Sequence, residues 1–180
     1  LTQVSFAQKV KSPKVLVLTP IEFILDKNLA SKAEKYKYTQ TNEQVLKCIE
    51  SKNKDENREF VKKMNKVECE FLKDSNISNS FTYYLYGWLT FKLYGNFNDA
   101  IIYPAKGPRK RDIEAYKKLS VEHNINWIVN IKSVEYIIEP KRLKGIAKLE
   151  LWNKNTNEIT LSTEVKIDDK NYGGEMSCEN

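Results

Sequence analysis

The sequence predicts an α/β domain built on a mixed sheet of about five strands with flanking helices, closing in a three-stranded antiparallel meander. Residues 14–20, KVLVLTP, form a short valine- and leucine-rich run ended by a proline that cannot continue a central strand. Residues 100–104, AIIYP, repeat that pattern after a helical stretch, which gives the order β, α, β. From Trp127 to Ile167 apolar and polar residues alternate with the period of two that strands impose.

Each element follows from its own pattern. Residues 21–25 extend the first strand beyond a Pro20 bend or cross to a sheet edge, and lysine-rich residues 26–40 read as a loop or a frayed helix. From Thr41 the period turns helical, with Asn42 as the cap and Val45 and Ile49 on one face; Phe60, Met64, Val67 and Phe71 then recur at helical spacing. The aromatic-dense segment from Phe81 to Phe97 is a helix with Phe81, Leu85, Trp88 and Leu89 inward and Tyr83, Tyr86 and Lys92 pointing elsewhere, stopped by Gly95 and Asn96. Asp112 and Glu114 open another helix, where the dipole favours acids, with Ile113, Tyr116 and Leu119 inside and residues 124–126 as its end. In the meander, Leu143, Gly145, Ala147, Leu149 and Leu151 take the core face and Arg142, Lys144, Ile146, Lys148, Glu150 and Trp152 the wet one. A turn at residues 153–157 then leads into a hairpin whose inner set is Ile159, Leu161, Thr163, Val165 and Ile167.

With 180 residues and 41% hydrophobic content, one domain can bury a core and fold alone. Residues 1–7 read as the remnant of a secretory signal, leaving residues 8–180 as a single domain with a helical insertion near residues 42–73. No apolar run approaches the roughly 18 residues that span a bilayer. Cys48, Cys69 and Cys178 are too few and too scattered for a zinc site or a disulfide framework; in an oxidising compartment Cys48 pairs with Cys69, and otherwise all three stay as thiols. A net charge of +6, from 30 basic and 24 acidic residues, is a mild bias only.

The chemistry-bearing residues point away from catalysis. His123 is the single histidine and sits at a helix end, where the dipole alone explains it, so no catalytic set is assigned. Asp168, Asp169 and Glu175 lack the spacing of a calcium loop, and no phosphate-cradling glycine loop exists, so neither a metal nor a cofactor is expected. A hydrolase would need two carboxylates to converge, Glu135 and Glu150 on neighbouring strands being the pair to watch. Lys106, Arg109, Lys110 and Arg111 are the densest basic cluster; without interleaved aromatics it argues for a solvated face rather than nucleic-acid binding. The aromatic helix carries more tyrosines than one buried stripe uses. Tyr83, Tyr86 and Tyr94, with Lys106, Arg109 and Arg111, are therefore the candidate binding residues for a protein partner or, alternatively, for a small molecule or glycan.

The VLVLTP opening strand, the helix leading into NINWIVNIKSVEY, and the strands AKLELW and ITLSTEV joined by NKNTNE together resemble the periplasmic α/β domains of the TolB N-terminal, LpoB and CsgG type. In those families a helix leads to a pair of strands joined by a D-x-x-T-G-E turn, matched here at Asn126 to Val129 and Asn153 to Glu158. The resemblance covers residues 14–20 and 103–167. It implies an exported, non-enzymatic component of the cell envelope, periplasmic or extracellular, that binds an envelope protein or joins an assembly, with homo-oligomerisation possible. The segment near residues 42–71 is an insertion relative to that pattern, and no cysteine follows the signal-like stretch to carry a lipid.

Overall fold

A computed structural model describes residues 13–35, 37–94, 100–139 and 142–169, and within them all but a few side chains, those of Phe60, Lys92, Tyr94, Arg142 and Ile167 being among the exceptions. The signal-like residues 1–7, the Gly95 and Asn96 stop, Cys178 and the glycine-containing tail lie outside the described residues.

Strand β1 (Lys14–Leu18) runs parallel to β5 (Ile101–Ala105) on one side and to the start of β6 (Trp127–Glu139) on the other. β6 then pairs antiparallel with β7 (Arg142–Asn153), and β7 with β8 (Glu158–Asp169), giving the sheet order β5-β1-β6-β7-β8. The mixed sheet, its flanking helices and the C-terminal antiparallel run are those the sequence predicts. Residues 21–25 settle the alternative left open for them: after the Pro20 bend, β2 (Glu22–Leu25) takes the stretch of β6 that β1 no longer reaches, pairing Glu22 to Leu25 with Ser133 to Tyr136. The lysine-rich stretch is ordered as helix α1 (Lys27–Glu34) and a short strand β3 (Tyr38–Thr39), which pairs with β4 (Asp74–Ser75).

Helices α2 (Asn42–Asn53) and α3 (Glu59–Phe71) form the expected helical segment, joined by a Cys48–Cys69 disulfide. The cap of α2 is Thr41, one residue before the expected Asn42. Its hydroxyl accepts from the Gln44 amide, while the Gln44 side chain accepts from the Thr41 amide, the reciprocal bonding of a capping box. Asn42 is drawn inside the helix by that arrangement.

The sheet carries two cores. On one face Leu16, Leu18, Tyr103, Ile125, Ile128 and Trp152 pack with Tyr116 of helix α5 (Ile113–Glu122) and with Met64 and Val67 of α3. On the other, Val15, Val17, Ile102, Ile131, Val134 and Ala147 pack beneath helix α4 (Ile77–Tyr94), which contributes Phe81, Leu85, Tyr86, Leu89 and Leu93. This corrects the reading of β7's second face at Trp152, while Lys148 on the same face is exposed as expected. Trp152 is 1% exposed because α5 covers that side, and Tyr116 lies against it with ring centroids 5.9 Å apart. It also corrects α4, where Tyr86 turns inward and Trp88 is 57% exposed. Asn124 and Asn157 hold positive φ of 51° and 58°, a conformation asparagine tolerates, and so end α5 and close the β7–β8 hairpin as their positions in the sequence predict.

Candidate protein-binding surface

Helix α4 commits one face to the sheet and one flank to α3. On that flank the Tyr83 hydroxyl donates to the Glu68 carboxylate at 2.8 Å, and the same oxygen accepts from Lys52 at 2.9 Å. A buried carboxylate needs such partners, and this one ties α2, α3 and α4 together. The Tyr83 and Tyr86 rings lie 5.6 Å apart, both half-buried, and burial pushes each phenol up to about 12. Neither ring is the open stacking platform that the glycan reading requires. The opposite flank carries Phe81, whose ring contacts Phe23 of β2 and Tyr136 of β6. Trp88 follows Phe81 by two helical turns on that flank and is exposed.

What remains of α4 is its outer face. Tyr84 and Phe91, two helical turns apart, are 77% and 75% exposed, with Gly87 between them adding no side chain. Beside the helix, the sheet face that α4 covers over β1, β5 and β6 runs on past it, with no helix over β8 among the described residues. Ala147 and Leu149 are its last core-packed residues. Opposite Leu151 and Ala147, Leu161 and Val165 of β8 are 51% and 44% exposed. Leu161, Thr163 and Val165 of the inner set predicted for β8 are therefore correctly phased but exposed, because the sheet extends past α4, whereas the register irregularity sets Ile159 opposite Trp152 on the other face. Exposed apolar residues on the helix and on the sheet floor are of the kind that mark interaction sites.

The predicted basic residues do not gather into a site. Lys106 pairs with Asp74, Lys110 with Asp112 at 2.6 Å, and Lys117 with Glu114 at 2.7 Å. Arg109 stays on the exposed turn. Arg111 turns inward, donating to Asn130 Oδ1 at 2.7 Å and to the Pro108 carbonyl at 3.1 Å, and its burial lowers its pKa. A Cβ at Gly107 would strike that guanidinium, so the glycine gives Arg111 its place. Tyr94 lies in α4, but its side chain is outside the described ones.

The carboxylate pair does not converge. Glu135 stands opposite Ile146 and Glu150 opposite Asn130, so four residues along β7 separate them, roughly 14 Å at strand rise. Glu150 is engaged by Lys132 at 2.9 Å and by Asn130 at 3.2 Å. His123 caps α5, its carbonyl accepting the Tyr103 hydroxyl at 2.7 Å. Among the described residues no cluster of His, Cys, Asp and Glu could hold a metal, and no helix is long and apolar enough to cross a membrane.

The exposed aromatics were present in the sequence as a surplus of rings; which of them face out was not, because aromatic residues occupy every side of α4. Comparison with known proteins adds no identity: no protein-family model matches this chain, and no curated protein matches it.

Proposed function

We propose that this chain is an exported, non-catalytic domain of the cell envelope that binds a protein partner through the outer face of α4 and the adjoining floor of β7 and β8. The observation that carries the reading is the pair Tyr84 and Phe91, whose rings stand in solvent on a helix whose opposite face is fully used by the core. Rings of this kind supply large contact area at small entropic cost and are enriched at interfaces. Export is supported by the Cys48–Cys69 disulfide, since such bonds persist in oxidising compartments, and by the resemblance to periplasmic α/β domains.

The test is co-purification of the tagged full-length protein from the envelope fraction of its own host. A partner retained by the wild type should be lost with Phe91→Glu or Tyr84→Glu, each of which should leave the melting temperature nearly unchanged because the ring is largely in solvent. Recovery of the protein in the cytosol, or a partner that ignores both substitutions, refutes the reading.

A further inference from the structure

We propose that β8 is a homodimerisation edge, on which a second copy of this chain pairs antiparallel about a two-fold axis at Val165. β8 ends the sheet order, and among the described residues no strand pairs with its outer side. It runs twelve residues, Glu158–Asp169, without a proline or a glycine, and its side chains from Glu158 to Lys166 are all exposed. Its one register irregularity lies near the hairpin turn, opposite Leu151 and Trp152, and leaves the stretch from Leu161 onward regular. A long edge with a regular stretch of this kind is a template for another strand unless charges or bulges block it.

The charges on β8 do not block a second copy; together with the irregularity near the turn they select its register. An axis at Ser162 would also oppose unlike charges, Lys166 and the partner's Glu158, but would run the pairing through the irregular stretch. An axis at Glu164 would oppose Glu164 to itself, and an axis at Thr163 would set Glu158 against the partner's Asp168. An axis at Val165 sets Glu164 opposite the partner's Lys166 and Lys166 opposite the partner's Glu164, two opposite-charge pairs flanking a Val165–Val165 contact. Glu164 and Lys166 already lie 3.3 Å apart within one chain, and Lys148 stands opposite Glu164 on β7. The dimer therefore alternates Lys148, Glu164 and the partner's Lys166 across the seam. Because the axis is perpendicular to the sheet, Leu161 and Val165 of both copies stay on one face, and the two apolar floors join into a single trough between the two α4 helices.

The experiment is sedimentation velocity of the oxidised full-length protein across a range of concentrations. The wild type should show a concentration-dependent dimer. Glu164→Lys and Lys166→Glu should each weaken it by about tenfold or more, because each turns both cross-seam pairs repulsive. The double variant Glu164→Lys/Lys166→Glu should restore most of it, since exchanging both charges rebuilds both cross-seam pairs and leaves only Lys148 facing a like charge within the chain. Circular dichroism and melting of each variant confirm an unchanged fold, and slowing of amide exchange confined to β8 as concentration rises supplies an independent readout. A wild type that stays monomeric at every concentration, single variants that dimerise as the wild type does, or a double variant no tighter than the singles overturns the proposal. None of these outcomes depends on a heterologous partner, so this inference and the proposed function fail separately.

Discussion

Reduction of the Cys48–Cys69 bond is the perturbation whose effect the structure sets most directly. The two cysteines are 21 residues apart and join α2 to α3, closing a loop that includes the turn between the helices. Closing a loop of that length removes about 3 kcal/mol of chain entropy from the unfolded state on the loop-closure model. For a chain of this size that corresponds to a fall in melting temperature of about 6–12 °C on reduction. Cys69 is 0% exposed, so reduction leaves the same sulfur in the same packed site and isolates the cross-link from any cavity. The assay is paired thermal unfolding with and without a phosphine reductant, with thiols counted after unfolding in an alkylating agent. Oxidised protein should yield one titratable thiol of its three cysteines, and reduced protein all three. The double variant Cys48→Ala/Cys69→Ala should melt lower still, because it also empties the buried sulfur site at Cys69. Identical melting in both states, or three free thiols from protein purified without reductant, refutes the reasoning.

Two tyrosines offer a matched pair. The Tyr83 hydroxyl bonds Glu68, so Tyr83→Phe should cost about 1 kcal/mol in chemical denaturation. The Tyr116 hydroxyl is buried beside the Asn130 side chain without a hydrogen bond of ordinary geometry, so Tyr116→Phe should cost less than Tyr83→Phe; an equal or larger loss would mean that Asn130 satisfies the hydroxyl fully. Asp112→Ala removes the carboxylate that accepts the Ala115 amide at the start of α5 and should cost about 1 kcal/mol, with Asp112→Asn retaining most of it by the same assay. Alkaline titration supplies a pH test. Tyr83, Tyr86, Tyr103 and Tyr116 are each pushed up to about 12, chiefly by burial, from an ordinary value near 10. A raised phenol stabilises the fold fully below pH 10, and that stability is lost as pH climbs from 10 through 12. Phenolate absorbance should therefore rise in a late step coincident with unfolding, and a single step near pH 10 with the fold intact would contradict it.

The strands were legible in the sequence where side-chain period alone decides them. β1 and the three meander strands follow from apolar runs and alternation, and α5 from Asp112 and its inner residues Tyr116 and Leu119. The direction in which a face points was less legible. For β7 the alternation assigns Leu149 and Trp152 to opposite faces but cannot say that α5 covers the second. That depends on a helix thirty residues earlier lying across the sheet. In α4 the helical period fixes which residues share a side, yet rings on every side leave the rotation undetermined. The Tyr83–Glu68 bond and the packing of Phe81 on Phe23 and Tyr136 fix it. The basic cluster failed as a site because adjacency in sequence is not adjacency on a surface. Arg111 is turned into the domain by Asn130, and Lys106 is drawn away by Asp74, a residue from another part of the chain.

The same distinction gives β8 its significance. A strand at the margin of a sheet, with water on both faces, gains nothing from alternating apolar with polar residues. Yet Leu161, Thr163 and Val165 alternate with Ser162, Glu164 and Lys166 as strictly as any strand over a core. An edge shaped only to stay apart from other chains would carry charge on both faces or a break in its backbone, and the stretch from Leu161 to Lys166 has neither. Its pattern therefore fits a strand with neighbours on its open side, one strand beyond the six that pair here. Loss of association with Glu164→Lys and its return with the charge exchange would identify that neighbour as the same strand of a second copy.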